Sequence, residues 1–219
     1  MDLLLVSATK NEAKIFIKEL RMKEINSSLY SSSEFRIELL LTGIGIPATL
    51  FSMLTDVDIR KYDLIINIGI AGSFNKNTEL GSIVNVTSDN FGDIGINSEK
   101  GFIPAFKTEF NDKFRNLINN GHIYNTSDFP AFFYALPKCK GVSVNLPEAM
   151  PFPETDIETM EGAAFMLVCK HFKKGFLQIR GISNIIGYTQ RKDWDINTPI
   201  KNYSEHILKF IEKHINNEI

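Results

Sequence analysis

The chain has two cysteines, one tryptophan and four histidines among 219 residues, and no apolar run long enough to cross a bilayer. Each scarcity removes a class of explanation. Cys139 and Cys169 stand far apart in apolar surroundings, which favours buried free thiols over a disulfide. His122, His171, His206 and His214 show no paired spacing with cysteines or carboxylates, which argues against a metal. His122 is expected at a strand edge and the other three on helix surfaces. A net charge of -2 and a pI near 6.1 give no electrostatic reason to expect nucleic acid or an anionic membrane as partner. Short basic clusters such as Lys173-Lys174 read as solvated surface. The amino terminus runs directly into a core strand, with no basic region and cleavable apolar segment, so a cytoplasmic protein is expected.

Hydrophobic residues make up 43% of the sequence, enough for one sizeable core, and residues 1–219 read as a single domain. Short apolar strands alternate with amphipathic segments, the signature of an α/β fold. Strands are expected near residues 2–7, 35–42, 64–68, 82–87, 141–145 and 176–182, with another strand entering Met160. Helices are expected near 10–23, 47–54, 111–119, 163–169 and 199–215. Pro47 suits a first helical turn. Residues 27–33 read as a polar loop and 91–107 as a long, Gly-rich, aromatic connection of the kind that carries function or motion. There is no internal repeat, low-complexity tract or linker.

Two places end apolar strands with polar side chains that packing does not require. The first is Asp156-Ile157-Glu158-Thr159-Met160-Glu161-Gly162-Ala163-Ala164-Phe165, where a strand turns into an apolar helix; a carboxylate there lies at a strand's carboxyl end, where open α/β sheets bind ligands. The second is Ile179-Arg180-Gly181-Ile182-Ser183-Asn184, a buried strand whose tip faces the same crevice. Met-Glu-Gly before a helix followed by Arg-x-Ile-Ser-Asn resembles the nucleoside phosphorylase and nucleosidase superfamily, and within it the futalosine hydrolases.

The resemblance extends over most of the chain. It includes the strand Leu3-Leu4-Leu5-Val6-Ser7-Ala8-Thr9 followed by Glu12, the Thr42-Gly43-Ile44-Gly45 turn, and Asn67-Ile68-Gly69-Ile70-Ala71-Gly72. Asp93-Ile94-Gly95 and the run Arg191-Lys192 before Trp194 are similar to the futalosine hydrolases. The resemblance implies a three-layer α/β/α sandwich with a central mixed sheet, no metal or organic cofactor, and a homodimer or larger assembly. Gly43-Ile44-Gly45 is not a dinucleotide fingerprint, since position 48 is Ala.

Breaking an N-glycosidic bond leaves positive charge on the ribose and negative charge on the departing purine, so both ends need stabilising and a water must be positioned. By resemblance, Glu12 holds and deprotonates that water; read by itself it is an ordinary helix-start Glu favoured by the helix dipole. Glu161 is assigned to the ribose diol, because an ionised carboxylate can accept from two hydroxyls at once. Met160 lies under the sugar as a polarizable floor. Arg180 braces the Glu12 water network or pairs with a structural carboxylate. Ser183 and Asn184 face the purine, and Ala71 and Gly72 let the backbone approach the ligand.

Asn184 is the discriminating position. Adenine-cleaving members of the superfamily carry Asp there, whereas an amide can donate to a 6-oxo group and accept from N7-H. Asn184 therefore favours hypoxanthine, and Ile70 departs from the Ser common in methylthioadenosine nucleosidases. One family feature is shortened: residues 146–155, with Pro147, Pro151 and Pro153, replace a helix before the Met-Glu-Gly strand. Phe152 is then the available aromatic for stacking on the base, or a local packing anchor. Phe106, in the 102–106 stretch, falls where a neighbouring subunit closes the site, or within an intrachain aromatic loop. The alternatives are a methylthioadenosine or S-adenosylhomocysteine nucleosidase, a nucleoside phosphorylase, for which the glycine turns lack an adjacent Arg, and a non-catalytic purine-nucleoside-binding module.

Overall fold

In the computed structural model, which describes residues 1–99, 101–105, 116–147 and 154–214, strand β1 (Leu3–Ser7) is buried along its whole length. Leu3 and Leu5 point into one apolar cluster, Leu4 and Val6 into another. Period-two alternation with both faces apolar is what a strand covered on two sides requires. β1 lies parallel to β4 (Ile37–Leu41) on one side and β5 (Leu64–Ser73) on the other. β12 (Gly175–Ile185) continues the parallel set beyond β5.

Helices α1 (Lys10–Glu19) and α4 (Asn197–His214) cover the first cluster, where the Phe16 and Tyr203 rings stack with centroids 6.5 Å apart. Helices α2 (Ile46–Thr55) and α3 (Gly162–His171) cover the second, through residues such as Met53 and Phe165. The result is a three-layer α/β/α arrangement around a mixed sheet. Among the described residues no helix is long and apolar enough to cross a membrane.

The sheet also closes on itself. β12 pairs with β6 (Ile83–Asp89), β6 with β10 (Lys138–Ser143), and β10 with β11 (Ile157–Thr159). β11 then returns antiparallel to β5 through Ile157↔Ser73 and Glu158↔Gly72. These pairings make a ring of β5, β12, β6, β10 and β11. Its consequence is functional: β11 and the start of α3 are brought back against the carboxyl ends of β1, β5 and β12.

Several expected boundaries change, each for a physical reason. The first helix stops at Glu19, where Arg21 adopts a left-handed φ of 48° and the chain enters β2 (Met22–Glu24). The polar stretch after it includes β3 (Leu29–Ser32), an outer strand whose backbone groups pair with β2 and β4 in spite of its serines. The Gly-rich connection contains a hairpin of β7 (Gly95–Ser98) and β8 (Gly101–Pro104), with Gly101 at φ 107° in its turn. Only part of the helix expected near 111–119 is described; Asn119 and His122 there form a bridge beside β9 (Ile123–Tyr124). Cys139 and Cys169 are buried free thiols, as expected. His206 is a correction: it is half-buried against Phe132 and Phe133 and is not a helix-surface residue.

Candidate active site

Glu12 sits at the third position of α1 and completes a capping box with Thr9. Its Oε2 accepts from the Thr9 backbone N–H at 3.1 Å and the Thr9 hydroxyl at 2.7 Å, which satisfies donors at the helix start. Its Oε1 reaches across to accept from the Ile70 N–H in β5 at 3.2 Å. The side chain that completes the helix cap therefore also reaches across to β5. Tyr203 in α4 donates its hydroxyl to the Glu12 carbonyl at 2.7 Å, which fixes the first turn from the opposite side.

Arg180 projects from β12 and is 1% exposed. One guanidinium nitrogen donates to Asn67 Oδ1, and the same nitrogen lies 3.8 Å from Glu161 Oε2. Its neighbour across the sheet is Gly69, and the missing side chain explains how so large a group fits. A Cβ on Gly69 would fall 2.1 Å from Arg180 Nη1 and 2.9 Å from Glu12 Oε1. Arg180 thus hydrogen-bonds Asn67, and the carboxylate it faces is Glu161.

Glu161 occupies the N-cap of α3 yet makes no cap with its side chain. Its Oε1 accepts from the Gly45 N–H at 3.0 Å, at the turn where Gly45 takes φ 93°. This gives the Gly43-Ile44-Gly45 turn a purpose. Burial raises the Glu161 carboxyl above its ordinary range, opposed by the Arg180 charge and the Gly45 N–H, while the Glu12 charge adds to the rise.

β12 carries one extra residue relative to β5: Ile182 pairs with Ala71 and Asn184 with Gly72, so Ser183 forms a bulge. Bulges re-aim side chains next to functional sites. Ser183 and Asn184, expected to cap this strand, lie inside it. The Ser183 hydroxyl is 2.8 Å from Asn184 Oδ1 and 3.2 Å from the Ala71 carbonyl. Asn184 Nδ2 has no protein acceptor among the described residues and lies 3.0 Å from where a Gly72 Cβ would be.

These groups converge on a cavity of about 260 Å³. Glu12, Ala71, Gly72, Met160, Glu161, Ser183 and Asn184 all line it, from four separate stretches of chain. Arg180 does not line it and acts from behind. Phe152 and Phe106 lie outside the described residues; Pro147 from the shortened segment reaches the cavity. Sequence reasoning missed Thr9, Asn11, Glu158 and Thr159 as site residues. Thr9 had a readable signal, since Thr three residues before Glu is a capping-box pattern. Arg191 and Trp194, noted only as a resemblance, line the same cavity.

A polar group behind the site was also missed. Asp89, at the end of β6, is fully buried. It accepts from Ser143 Oγ at 3.0 Å, Gln178 Nε2 at 3.0 Å and the Asn90 N–H at 2.8 Å. Burial lifts its carboxyl to about 6, against those hydrogen bonds and the Arg180 charge, which pull it down.

No family model matches the chain. By sequence it is similar to the 5'-methylthioadenosine/S-adenosylhomocysteine nucleosidase of Buchnera aphidicola, 25% identical over 225 residues that cover 94% of this chain and 92% of the relative. By structure it is similar to the nucleosidase of the same name from Neisseria meningitidis, solved in complex with methylthio-immucillin-A. That match has a TM-score of 0.74 and 17% identity and covers 97% of this chain and 99% of the other. The Colwellia psychrerythraea nucleosidase, solved with adenine, matches with a TM-score of 0.69 and 20% identity over 97% of this chain and 95% of its own. The fold is the one these nucleosidases share.

Proposed function

We propose that this chain is a hydrolytic purine nucleosidase that cleaves a 6-oxopurine nucleoside, futalosine, to hypoxanthine and the dehypoxanthinyl product. The observation that carries the reading is the convergence of Glu12, Glu161 and Asn184 on one cavity floored by Ala71, Gly72 and Met160. Glu12 serves as the base that deprotonates the attacking water, with Oε1 the oxygen turned toward β5. Glu161 accepts from the ribose diol; Arg180 and the Gly45 N–H oppose the rise that burial imposes on its carboxyl. Met160, half-buried, lies under the sugar.

Specificity is assigned to Asn184. With Ser183 donating to its Oδ1, the amide nitrogen is left as a donor, which suits a 6-oxo group and opposes a 6-amino group. A second acidic side chain, Glu12, beside Glu161 in the cavity disfavours phosphate as nucleophile. The named relatives support the nucleosidase class, and Asn184 and Ile70 support the 6-oxopurine choice within it.

The test is incubation with futalosine, inosine and 5'-methylthioadenosine, with and without phosphate. Free hypoxanthine from futalosine at an unchanged rate without phosphate is expected. Faster release of adenine from 5'-methylthioadenosine would replace this substrate with that of the relatives, and strict phosphate dependence would reject hydrolysis. A second reading rests on Asn184 alone: an amide cannot deliver a proton to the departing purine, which suits a module that binds nucleosides without cleaving them. Tight binding with no base release would establish it.

A further inference from the structure

Asp89 belongs to neither the base nor the ribose contacts, and its hydrogen bonds lead to the start of α3. The first N–H groups of a helix have no partners within it, and the N-cap side chain normally supplies one. Glu161 occupies that position and is turned away toward Gly45 and Arg180. Two neighbouring strands provide the cap instead. Gly162 N–H donates to Thr159 Oγ1 at 3.3 Å, and Ala163 N–H donates to Ser143 Oγ at 2.8 Å.

Proton counting fixes the direction of the chain. Ser143 Oγ lies 3.0 Å from Thr159 Oγ1 and 3.0 Å from Asp89 Oδ1. An ionised carboxylate only accepts, so the single Ser143 proton goes to Asp89. Thr159 then donates to Ser143, whose two lone pairs are filled by Thr159 and Ala163. Both of these donors from the helix start thus run toward Asp89, a negative charge placed where the helix dipole favours one. Glycines make the approach possible: a Cβ on Gly162 would fall 2.1 Å from Asp89 Oδ2 and one on Gly141 2.7 Å from it.

We propose that Asp89 is a positioning residue for Glu161: acting through Ser143 and Thr159 it takes over the capping of α3 and so frees the Glu161 carboxylate to face the ligand. The inference rests on the assignment of Glu161 to the nucleoside made above. It explains why a carboxylate at an N-cap is not consumed by its own helix. It also explains why glycine follows Glu161 here.

The experiment compares Asp89→Ala, Asp89→Asn and Ser143→Ala, each alone and combined with Glu161→Gln. Asp89→Ala and Ser143→Ala should each lower kcat/KM by about 30-fold or more, as misplacement of a binding group does. Asp89→Asn should restore most of that loss, because its carbonyl can still accept from Ser143 and its amide can donate to Gln178 Oε1, which is buried without a partner. In the Glu161→Gln background the same changes should cost less than about threefold, the non-additivity of residues acting as one unit. Equal losses with and without Glu161, or equal losses in the Ala and Asn variants, would overturn the inference. Amide hydrogen exchange supplies a readout that needs no turnover and also serves if wild type cleaves none of the nucleosides. Exchange at Ala163 should speed up by about tenfold or more in Ser143→Ala while α4 amides stay unchanged; unchanged protection at Ala163 would overturn the inference whatever the substrate.

Discussion

Arg180 Nη2 lies 3.8 Å from Glu161 Oε2, with the two side chains 1% and 8% exposed. The pair is long for an ion pair, and the other Glu161 oxygen takes the Gly45 N–H. Burial raises the Glu161 carboxyl, and the Arg180 charge and the Gly45 N–H oppose that rise without occupying all of its lone pairs.

Glu12→Gln should lower turnover by on the order of 100-fold or more and leave nucleoside binding largely intact, because an amide keeps the shape and cannot act as base. Its effect on stability should stay near 1 kcal/mol, the scale of a helix cap. Steady-state kinetics beside ligand titration check this, and near-normal turnover would remove Glu12 from the mechanism.

Gly69→Ala places a methyl group where Arg180 Nη1 would be 2.1 Å away. The guanidinium must move, and Glu161 loses its partner. Loss of more than about 100-fold in kcat/KM is expected, with a lower melting temperature as the buried Arg180 charge is left unpaired. Wild-type kinetics in a folded Gly69→Ala protein would show that the Arg180 position does not matter.

Asn184→Asp should shift the ratio of specificity constants from the 6-oxopurine nucleoside toward its 6-amino counterpart by roughly 1 to 3 kcal/mol, the worth of one exchanged buried hydrogen bond. The ratio is the proper measure because general unfolding lowers both constants. If it does not change, Asn184 does not read the purine.

Asp89 gives a prediction in pH. Its carboxyl is lifted by burial from 3.8 to about 6, so the folded protein holds this proton more tightly than the unfolded chain does. The associated stability is fully present below the unfolded value and is lost as pH rises through about 6. A difference of that size corresponds to about 3 kcal/mol. Asp89→Asn does not titrate, so its melting temperature should gain several degrees on wild type between about pH 4 and 7 and then level off. A difference that is flat across this range would mean that the carboxyl is not raised.

The local chemistry was legible in the chain. Short apolar runs placed β1, β5 and β12, and strand-end polar groups marked Glu161, Ser183 and Asn184, because burial and polarity are written residue by residue. The hairpin at Gly95–Pro104 and β3 were not legible. Their strand state comes from pairing partners, and their own side chains include glycine, serine and proline.

How these groups meet depends on contacts between distant segments. Glu161 accepts from Gly45, 116 residues away, and Glu12 from Ile70, 58 residues away. Pairing β1 between β4 and β5 sets Glu12 beside Ile70 and brings Gly45 to the same end of the sheet, and closing β5, β12, β6, β10 and β11 into a ring returns Glu161 to them; no local pattern encodes either. The same closure turns Asp89, Ser143 and Thr159 into one hydrogen-bond chain behind α3. The order of residues sets which side chains can donate or accept a proton; the fold sets which of them are left free to do so, because a buried polar group must first satisfy its nearest donors.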